Sequence, residues 1–570
     1  MITFGHEATP HPTHEARRKT LTPPEGVAKP PHIVTGPTTH LVRRYITPFN
    51  PSSNTPLLKM TSQTQVLQLQ EALELIFEHL GPSPNTDTDS DNPTISRQHL
   101  LWVTKTCRTW SEPALNVLWR ELDSTYPLLL LIPSLKLVNG TYVFDGPVED
   151  NDILRFDSYA RRVRCLSFRL PVDVNPVASH VYLVLQKLHH STPLLPGLLS
   201  VHFPNVDRAF VDVSGAFLFL ETTTVKSIEL DNVGTNFEEF TRPFIATSAR
   251  HIPNLKRLIL RGQCSEEVLS YVSKYRKLQY LDLHPGRYIS GDILEDLGTL
   301  PELTQLKLDM GSGQPPVSSS HRYRSTAPSA LFQELQKLHI IGSPVSVARF
   351  LAHYFVPKDL RTLTLEFTAD PFNGDWMDSW RHCFDLISSV TSLRSLTVLE
   401  FAASHVLSYA LISPLSQLRN LEYLELSVTS LLTTDDELRD FVCSFANLRV
   451  LFLPNQSDQA SLSFTSLQHI SASCPKLEKL RLSLVANFDA PSDPDIIKNH
   501  KLKELLVGGP HYSWSIRQYV RTSRFLDALF PELQVIKGSG SSNAEEWEEI
   551  EHMVQTHQDV RRTARLLYGM

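Results

Sequence analysis

No apolar run in this chain approaches the ~18 residues that a membrane-spanning helix needs, so no membrane partner is expected. Six cysteines stand at 107, 165, 264, 383, 443 and 474, and none belongs to a Cys-x-x-Cys pair. A chain of 570 residues does not need disulfides to fold. Reduced, mostly buried thiols are therefore expected, with the cytoplasm or nucleus as the compartment. An excess of basic charge is also missing. Lysine and arginine number 54 against 61 acidic residues, for a net charge of -7 and a pI near 6.4. Nothing here points to a nucleic-acid backbone as partner. The motifs GxxxxGK[ST], GxSxG and HExxH are absent, so no residue pattern argues for an enzyme. The N-terminus has no apolar h-region, so no secretory signal is expected. The triplets starting at Asn139 and Asn455 then carry little weight as glycosylation sites.

What remains is a chain 41% hydrophobic and 20% charged, the balance of a folded protein with a large core. Residues 1–60 differ: they hold 10 prolines, 10 threonines and 7 basic against 3 acidic residues. Proline-dense sequence of low hydrophobicity cannot offset its ordering entropy, so a disordered leader is expected. Its basic, acid-poor character raises a transit peptide, against which the prolines argue. Met60 is an alternative start, because organised sequence begins just after it. His6, His11 and His14 lie in the leader without a cysteine or carboxylate to complete a shell, so neither metal nor cofactor is expected.

From Val66 the pattern becomes helical. Leu69, Leu73, Ile76, Phe77 and Leu80 recur at helical spacing, and Gly81-Pro82 ends the run. A polar loop, SPNTDTDSDNPT, follows. Asp87, Asp89 and Asp91 mimic the start of a calcium loop, but Asn92 and Gln98 stand where the turn glycine and bidentate glutamate belong. A solvated acidic loop is expected. Leu100, Val103, Cys107 and Trp110 then share a helical face. Ser111 is a candidate cap for a further helix, with Pro113 in its first turn and Leu115, Leu118, Trp119 and Leu122 along it. Lys105 and Arg108 could lower the pKa of Cys107 and make it a nucleophile. No activating histidine or acid is identifiable, and its place on an apolar face predicts a buried structural thiol.

From about 160 to 537 the chain repeats itself. The clearest units are LKRLIL at 255, LQYLDL at 278, LTQLKL at 303, LQKLHI at 335, LRTLTL at 360, LRSLTV at 393, LEYLEL at 421, LRVLFL at 448, LEKLRL at 477 and LKELLV at 502. Weaker units start at 163, 198, 225 and 533. The fourteen starts have a mean spacing of 28.5 residues, with individual spacings of 23 to 35. This L-x-x-L-x-L period is the leucine-rich-repeat signature. One unit cannot bury its leucines alone, so units stack strand on strand. Segments 265–277, 378–392 and 435–448 read as outer helices, whose greater width curves the array into a horseshoe. Few strands are followed by the usual asparagine or cysteine, so irregular turns are expected. Residues 309–330 read as an inserted loop. Residues beside the second leucine of each strand should face the concave side: Arg257, Tyr280, Asp282, Lys307, His339, Glu425, Phe452 and Arg481. At the C-terminus, Ser542 and Glu545 fit a capping box. Trp547, Ile550, Val554, Val560 and Leu567 give the apolar stripe of a closing helix.

The stretch 66–122 resembles an F-box. Glu71, Leu73, Ile76, Phe77 and Leu80 match its first helix. Val103, Cys107, Arg108 and Trp110 match its hydrophobic–C-K/R-x-W part, and Leu118-Trp119 matches the closing L-W. Together with GTYVF at 140–144 and YARRVRCLSF at 159–168, the layout is similar to the large F-box families of mushroom-forming fungi, which continue into leucine-rich repeats. Gln68-Leu69 replaces the usual Leu-Pro, and the loop 81–95 is longer and more acidic than in the family. The resemblance implies docking to the Skp-type adaptor of a cullin–RING ubiquitin ligase through Leu73, Ile76, Phe77, Leu80, Val103, Cys107, Trp110, Leu118 and Trp119. Trp110 and Trp119 fit core and partner surface equally well.

The expected fold is α/β: a three-helix F-box (61–125), a connecting segment (126–160), an irregular leucine-rich-repeat horseshoe (161–537) and a capping helix (538–570), after the leader (1–60). The expected function is substrate recognition for an SCF-type ligase, with a protein substrate on the repeats and no catalytic residue in the chain. The rival is a repeat scaffold or receptor whose F-box is degenerate.

Overall fold

The leucine period becomes one parallel sheet. The computed structural model describes residues 70–81, 93–168, 175–189, 192–205, 222–311, 331–354, 358–368, 376–400, 406–454, 462–485, 500–509, 514–538 and 544–568. The leader with its histidines, Leu69, Asp87, Asp89, Asp91, most of the 309–330 insert and Ser542 lie outside the described residues.

The sheet opens with β1 (Glu121–Leu122), β4 (Cys165–Ser167), β5 (Ser200–Phe203), β6 (Ser227–Val233), β7 (Arg257–Gly262), β8 (Tyr280–His284), β9 (Gln305–Asp309) and β10 (Lys337–Gly342). It continues through β11 (Thr362–Phe367), β12 (Ser395–Glu400), β14 (Tyr423–Ser427), β16 (Val450–Phe452), β17 (Lys479–Ser483), β18 (Glu504–Gly508) and β19 (Val535–Gly538). These fifteen strands pair in chain order. Each of the fourteen repeat starts leads into one strand. The strand that the pattern missed is β1, which has only two residues and no L-x-x-L-x-L around it. It pairs in parallel with β4, so the sheet begins ahead of Val163.

Register explains the spacing rule. The second leucine of each unit pairs with its equivalent: Leu258 with Leu281, then Leu306, Leu338, Leu363, Leu396, Leu424, Leu451, Leu480 and Leu505. All ten are 2% exposed or less. Burying such a side chain is worth roughly 1.5–3 kcal/mol, and none can be buried without a neighbouring repeat. Between strands run helices such as Glu238–His251, Trp376–Ser388, Asp435–Val442 and Phe464–Ser473, whose inner faces complete the core. Trp380, fully buried, packs 4.2 Å from Phe367. Segment 265–277 is a short helix, Glu266–Ser270, followed by a 3-10 turn.

The turns are irregular, as the missing asparagines implied. After Leu230 the β6–β7 register shifts, and Asn232 adopts φ 52°. Opposite Val233, Gly262 has φ +124°, and a Cβ there would lie 2.3–2.4 Å from Val233 N and O. Only glycine suits both the angle and the approach. Gly262→Ala is expected to destabilise the protein by about 2 kcal/mol or more, read as a lowered urea midpoint at unchanged m-value.

Two side structures flank the sheet. A hairpin joins β2 (Leu135–Val138) to β3 (Thr141–Phe144) through Asn139 and Gly140, both at positive φ. A second small parallel pair joins β13 (Val406–Ser408) to β15 (Ser430–Leu432).

Three helices precede the sheet: α1 (Gln70–Glu78), α2 (Pro93–Thr104) and α3 (Arg108–Arg120). The break between α2 and α3 falls at 105–107, not at Ser111 or Pro113. Thr104 and Thr106 hydroxyls turn back onto the carbonyls of Leu101 and Trp102, and Cys107 is fully extended. Cys107, not Ser111, occupies the cap position. It is exposed, which corrects the expectation of a buried thiol. The helical face that placed it beside Val103 and Trp110 ends with α2 at Thr104. Pro113 sits inside α3 and is buried. Of the other cysteines, 264, 383 and 474 are buried, and burial holds the thiols of Cys264 and Cys474 up to about 12.

The closing helix runs Ala544–Tyr568. Trp547, Ile550 and Val554 are buried against the last repeat, whereas Val560 and Leu567 are 65% and 72% exposed. The apolar stripe therefore serves the sheet only over its first half, and the helix outruns the surface it covers. No described helix is long and apolar enough to cross a membrane.

Candidate protein-binding surfaces

The helical unit has a small core made of Leu73, Phe77, Leu100 and Ala114, with Val103, Trp110, Val117 and Leu118 packed around it. Phe77 meets Trp110 edge-on at 6.1 Å. Polar clasps hold α1 to α3: Asn116 donates to Glu74 at 2.7 Å, and Arg120 pairs with Glu78. Asp123 anchors Arg97 of α2 at 2.7 Å.

This core divides the residues singled out from sequence. Leu73, Phe77 and Trp119 are 1%, 4% and 6% exposed. Trp119 faces Tyr159 at 4.7 Å and ties α3 to the helix Asp150–Ala160. Val103, Trp110 and Leu118 are half-buried in the unit's own packing. Ile76 and Leu80 stay exposed, at 46% and 38%. Two further exposed residues were missed: Leu75 at 63% and Trp102 at 58%. Their signal was an apolar residue off the helical stripe, which the search for a stripe discards.

The strand face displays rows of outward-pointing side chains, most of them polar. The middle row runs in register through His202, Glu229, Ile259, Asp282, Lys307 and His339, then Thr364, Thr397, Glu425, Phe452, Arg481 and Leu506. Six of the eight residues expected on this face lie in this row. Arg257 and Tyr280 pair in the row two residues earlier, with the Arg257 guanidinium 4.1 Å over the Tyr280 ring.

Across β5–β9 the face is a continuous ion network. His202 Nε2 lies 3.1 Å from Asp231. Arg261 reaches Glu229 at 3.4 Å, Asp231 at 3.0 Å and Asp282 at 2.7 Å. His284 contacts Asp282 at 3.0 Å and Asp309 at 3.6 Å. The Asp282 contact has ion-pair distance but poor direction, leaving Asp282 Oδ1 and His284 Nε2 without an aligned hydrogen bond. Burial opposes the charge on His284, yet Asp282 and Asp309 outweigh it and raise the imidazole to about 9. Burial likewise pushes Asp282 up, and His284 and Arg261 together bring it below the usual carboxylate range. His339 moves the other way: burial and Lys307 depress it despite Glu366 at 3.2 Å.

His202, Glu229 and Asp231 offer one ligand atom each within 4.8 Å of one another. Arg261 already touches both carboxylates, so a guanidinium meets their charge where a metal would have to sit. Farther along, the face turns aromatic. Arg481 stacks 4.7 Å from Phe452, which meets Tyr423 at 6.1 Å. Glu425 accepts from Tyr423, Ser427 and Arg481, at 2.5, 2.8 and 3.1 Å. Mixed aromatic–arginine patches of this kind suit protein contacts.

No family model matches the chain, and no curated protein matches it. Solved structures do. An internalin of Listeria monocytogenes is 13% identical with TM-score 0.31, over 57% of this chain and 83% of that one. A leucine-rich-repeat protein of Leptospira interrogans is 15% identical with TM-score 0.30, over 56% and 80%. The yeast Rad7–Elc1 complex contains a chain 13% identical with TM-score 0.30, over 85% and 93%. The repeat fold is seen directly in the in-register parallel strands, which present one broad continuous face.

Proposed function

We propose that this chain is the substrate-recognition subunit of an SCF-type ubiquitin ligase. The helical unit docks on a Skp-type adaptor, and the strand face of the repeats holds a protein substrate. Rate is gained by proximity, which raises the local concentration of substrate lysines near the conjugating enzyme. No acid, base or nucleophile of this chain is needed.

The observation that carries this reading is the division of the helical unit. Its core is complete, yet Leu75, Ile76, Leu80 and Trp102 stay in solvent. Large apolar side chains left outside a finished core mark a contact surface. Docking is therefore assigned to Ile76 and Leu80, with Leu75 and Trp102 added. Leu73 and Phe77 belong to the core of the unit, and Trp119 ties α3 to the helix Asp150–Ala160.

The test is capture of purified Skp-type adaptor by the full chain. Wild type is expected to bind at micromolar concentration. Ile76→Asp with Leu80→Asp should lose at least about 2 kcal/mol of binding while melting as wild type does. Phe77→Asp is unsuitable because it places a charge in the core. A wild-type chain that captures no adaptor at micromolar concentration overturns the proposal and leaves a repeat scaffold.

A further inference from the structure

The sheet has a second ordered border, distinct from the strand face. At the entry to each strand of the large sheet from β5 on, two successive N–H groups donate to one carbonyl of the previous repeat. Arg361 and Thr362 donate to Gln336 O, Arg394 and Ser395 to Arg361 O, and Glu422 and Tyr423 to Arg394 O. Arg449 and Val450 then donate to Glu422 O. This ladder holds one side chain per strand, at the ~4.8 Å strand spacing.

Although the chain carries a net charge of -7, this border is cationic between β11 and β17. Arg361, Arg394, Arg449 and Lys476 line a cavity of about 600 Å³, with Asp359 and Glu422 its only carboxylate-bearing residues. The internal compensation is partial. Arg394 lies 3.3 Å from Glu422, and Arg449 pairs at 2.5 Å with Glu478, just beyond the lining. Lys476 donates to the neutral Asn447 at 2.8 Å. Arg361 is exposed, with no ion pair among the described residues. Directly beside Glu422, Tyr423 begins the aromatic shelf that Phe452 continues.

We infer that this groove binds an acidic peptide segment of a partner protein, with an apolar residue after the acids seated on Tyr423 and Phe452. Guanidinium forks match carboxylates in a two-point geometry that ammonium groups do not reproduce. The four spacings between these five strands, about 19 Å, accommodate about six residues of extended chain. Single exposed ion pairs are weak, so binding needs several at once and falls as salt rises. The groove is built from repeats remote in sequence from the helical unit, so this inference stands or falls independently of adaptor docking.

The experiment uses the full chain, without adaptor, and fluorescence anisotropy. The probes are a labelled peptide of six glutamates followed by Leu-Phe, its six-lysine counterpart, and the glutamates alone. At low salt the first is expected to bind about tenfold or more tighter than the lysine peptide, and tighter than the glutamates alone. Arg361→Glu with Arg394→Glu should weaken it about tenfold or more. Lys226→Glu with Lys256→Glu, on the same border outside the groove, should leave it unchanged. Equal binding of the two charged peptides, wild-type affinity in the Arg361/Arg394 pair, or equal loss in the Lys226/Lys256 pair overturns the inference. If the glutamate pair shifts the melting temperature, Arg361→Gln with Arg394→Gln replaces it, and full retention of affinity there is equally decisive against it.

Discussion

Asp282→Ala is expected to lower the unfolding free energy by about 2–4 kcal/mol at pH 6.5. The carboxylate is 1% exposed and answers two cations, Arg261 at 2.7 Å and His284 at 3.0 Å. Removing one partner of a buried pair leaves uncompensated charge, which typically costs about 3–5 kcal/mol. The effect belongs toward the lower end here because Arg261 is 38% exposed and keeps Asp231 and Glu229. His284 is 21% exposed and keeps only Asp309, at 3.6 Å.

The same substitution should change the pH dependence of stability. His284 titrates at about 9 in the fold, above its ordinary 6.5. Its contribution is complete below pH 6.5 and is lost as pH rises through 9. Asp282 is held below its ordinary 3.8, so its contribution is present above that value and fades as pH falls through the lower folded one. The gap between wild type and Asp282→Ala should therefore be widest near pH 5–6.5 and shrink by roughly 1–3 kcal/mol at pH 9.5. Urea titrations at three pH values measure it. A gap that stays constant from pH 6 to 9.5 would show that the pair does not titrate as the geometry requires.

Trp119→Ala is the second large effect, about 3–5 kcal/mol of stability. The indole is 6% exposed, packs tilted against Tyr159 and sits where α3 runs into β1, so the substitution opens a cavity at the junction of helical unit and sheet. Under the proposed function, its binding phenotype should differ from that of the surface pair. At a temperature where the variant is still folded, Trp119→Ala should capture adaptor nearly as wild type does. Ile76→Asp with Leu80→Asp should fail to capture it with unchanged stability. A Trp119→Ala protein that melts as wild type does yet captures no adaptor would place the indole in the interface instead.

The two tryptophans of this stretch show what a sequence pattern can and cannot hold. Spacing puts Trp110 and Trp119 on helices but says nothing of what covers them. Contact with Phe77 and with Tyr159 decides that, from 33 and 40 residues away. Cys107 shows the same limit. A face continued across a break is no longer a face, and local threonine bonds set the break. Leu75 and Trp102 were invisible because helical periodicity rewards residues that agree with the stripe.

The charged network was legible only as a list of outward-pointing residues. Asp282 and Lys307 were identified there because they flank a leucine. Arg261, His284 and Asp309 were not, because they lie two positions farther along their strands, past the third leucine. Their partners sit on neighbouring repeats, and repeat spacing varies from 23 to 35 residues, so no fixed interval reveals them.

The sequence alone determined the stacked sheet. Leucines at L-x-x-L-x-L can be buried only against the same leucines of the next unit, and that requirement specifies strand, order and parallel register together. Tertiary structure alone decided which apolar residues of the helical unit became core and which stayed in solvent, and which charges met across the strands. Burial and ion pairing depend on what lies opposite, and that is set by packing between segments distant in the chain.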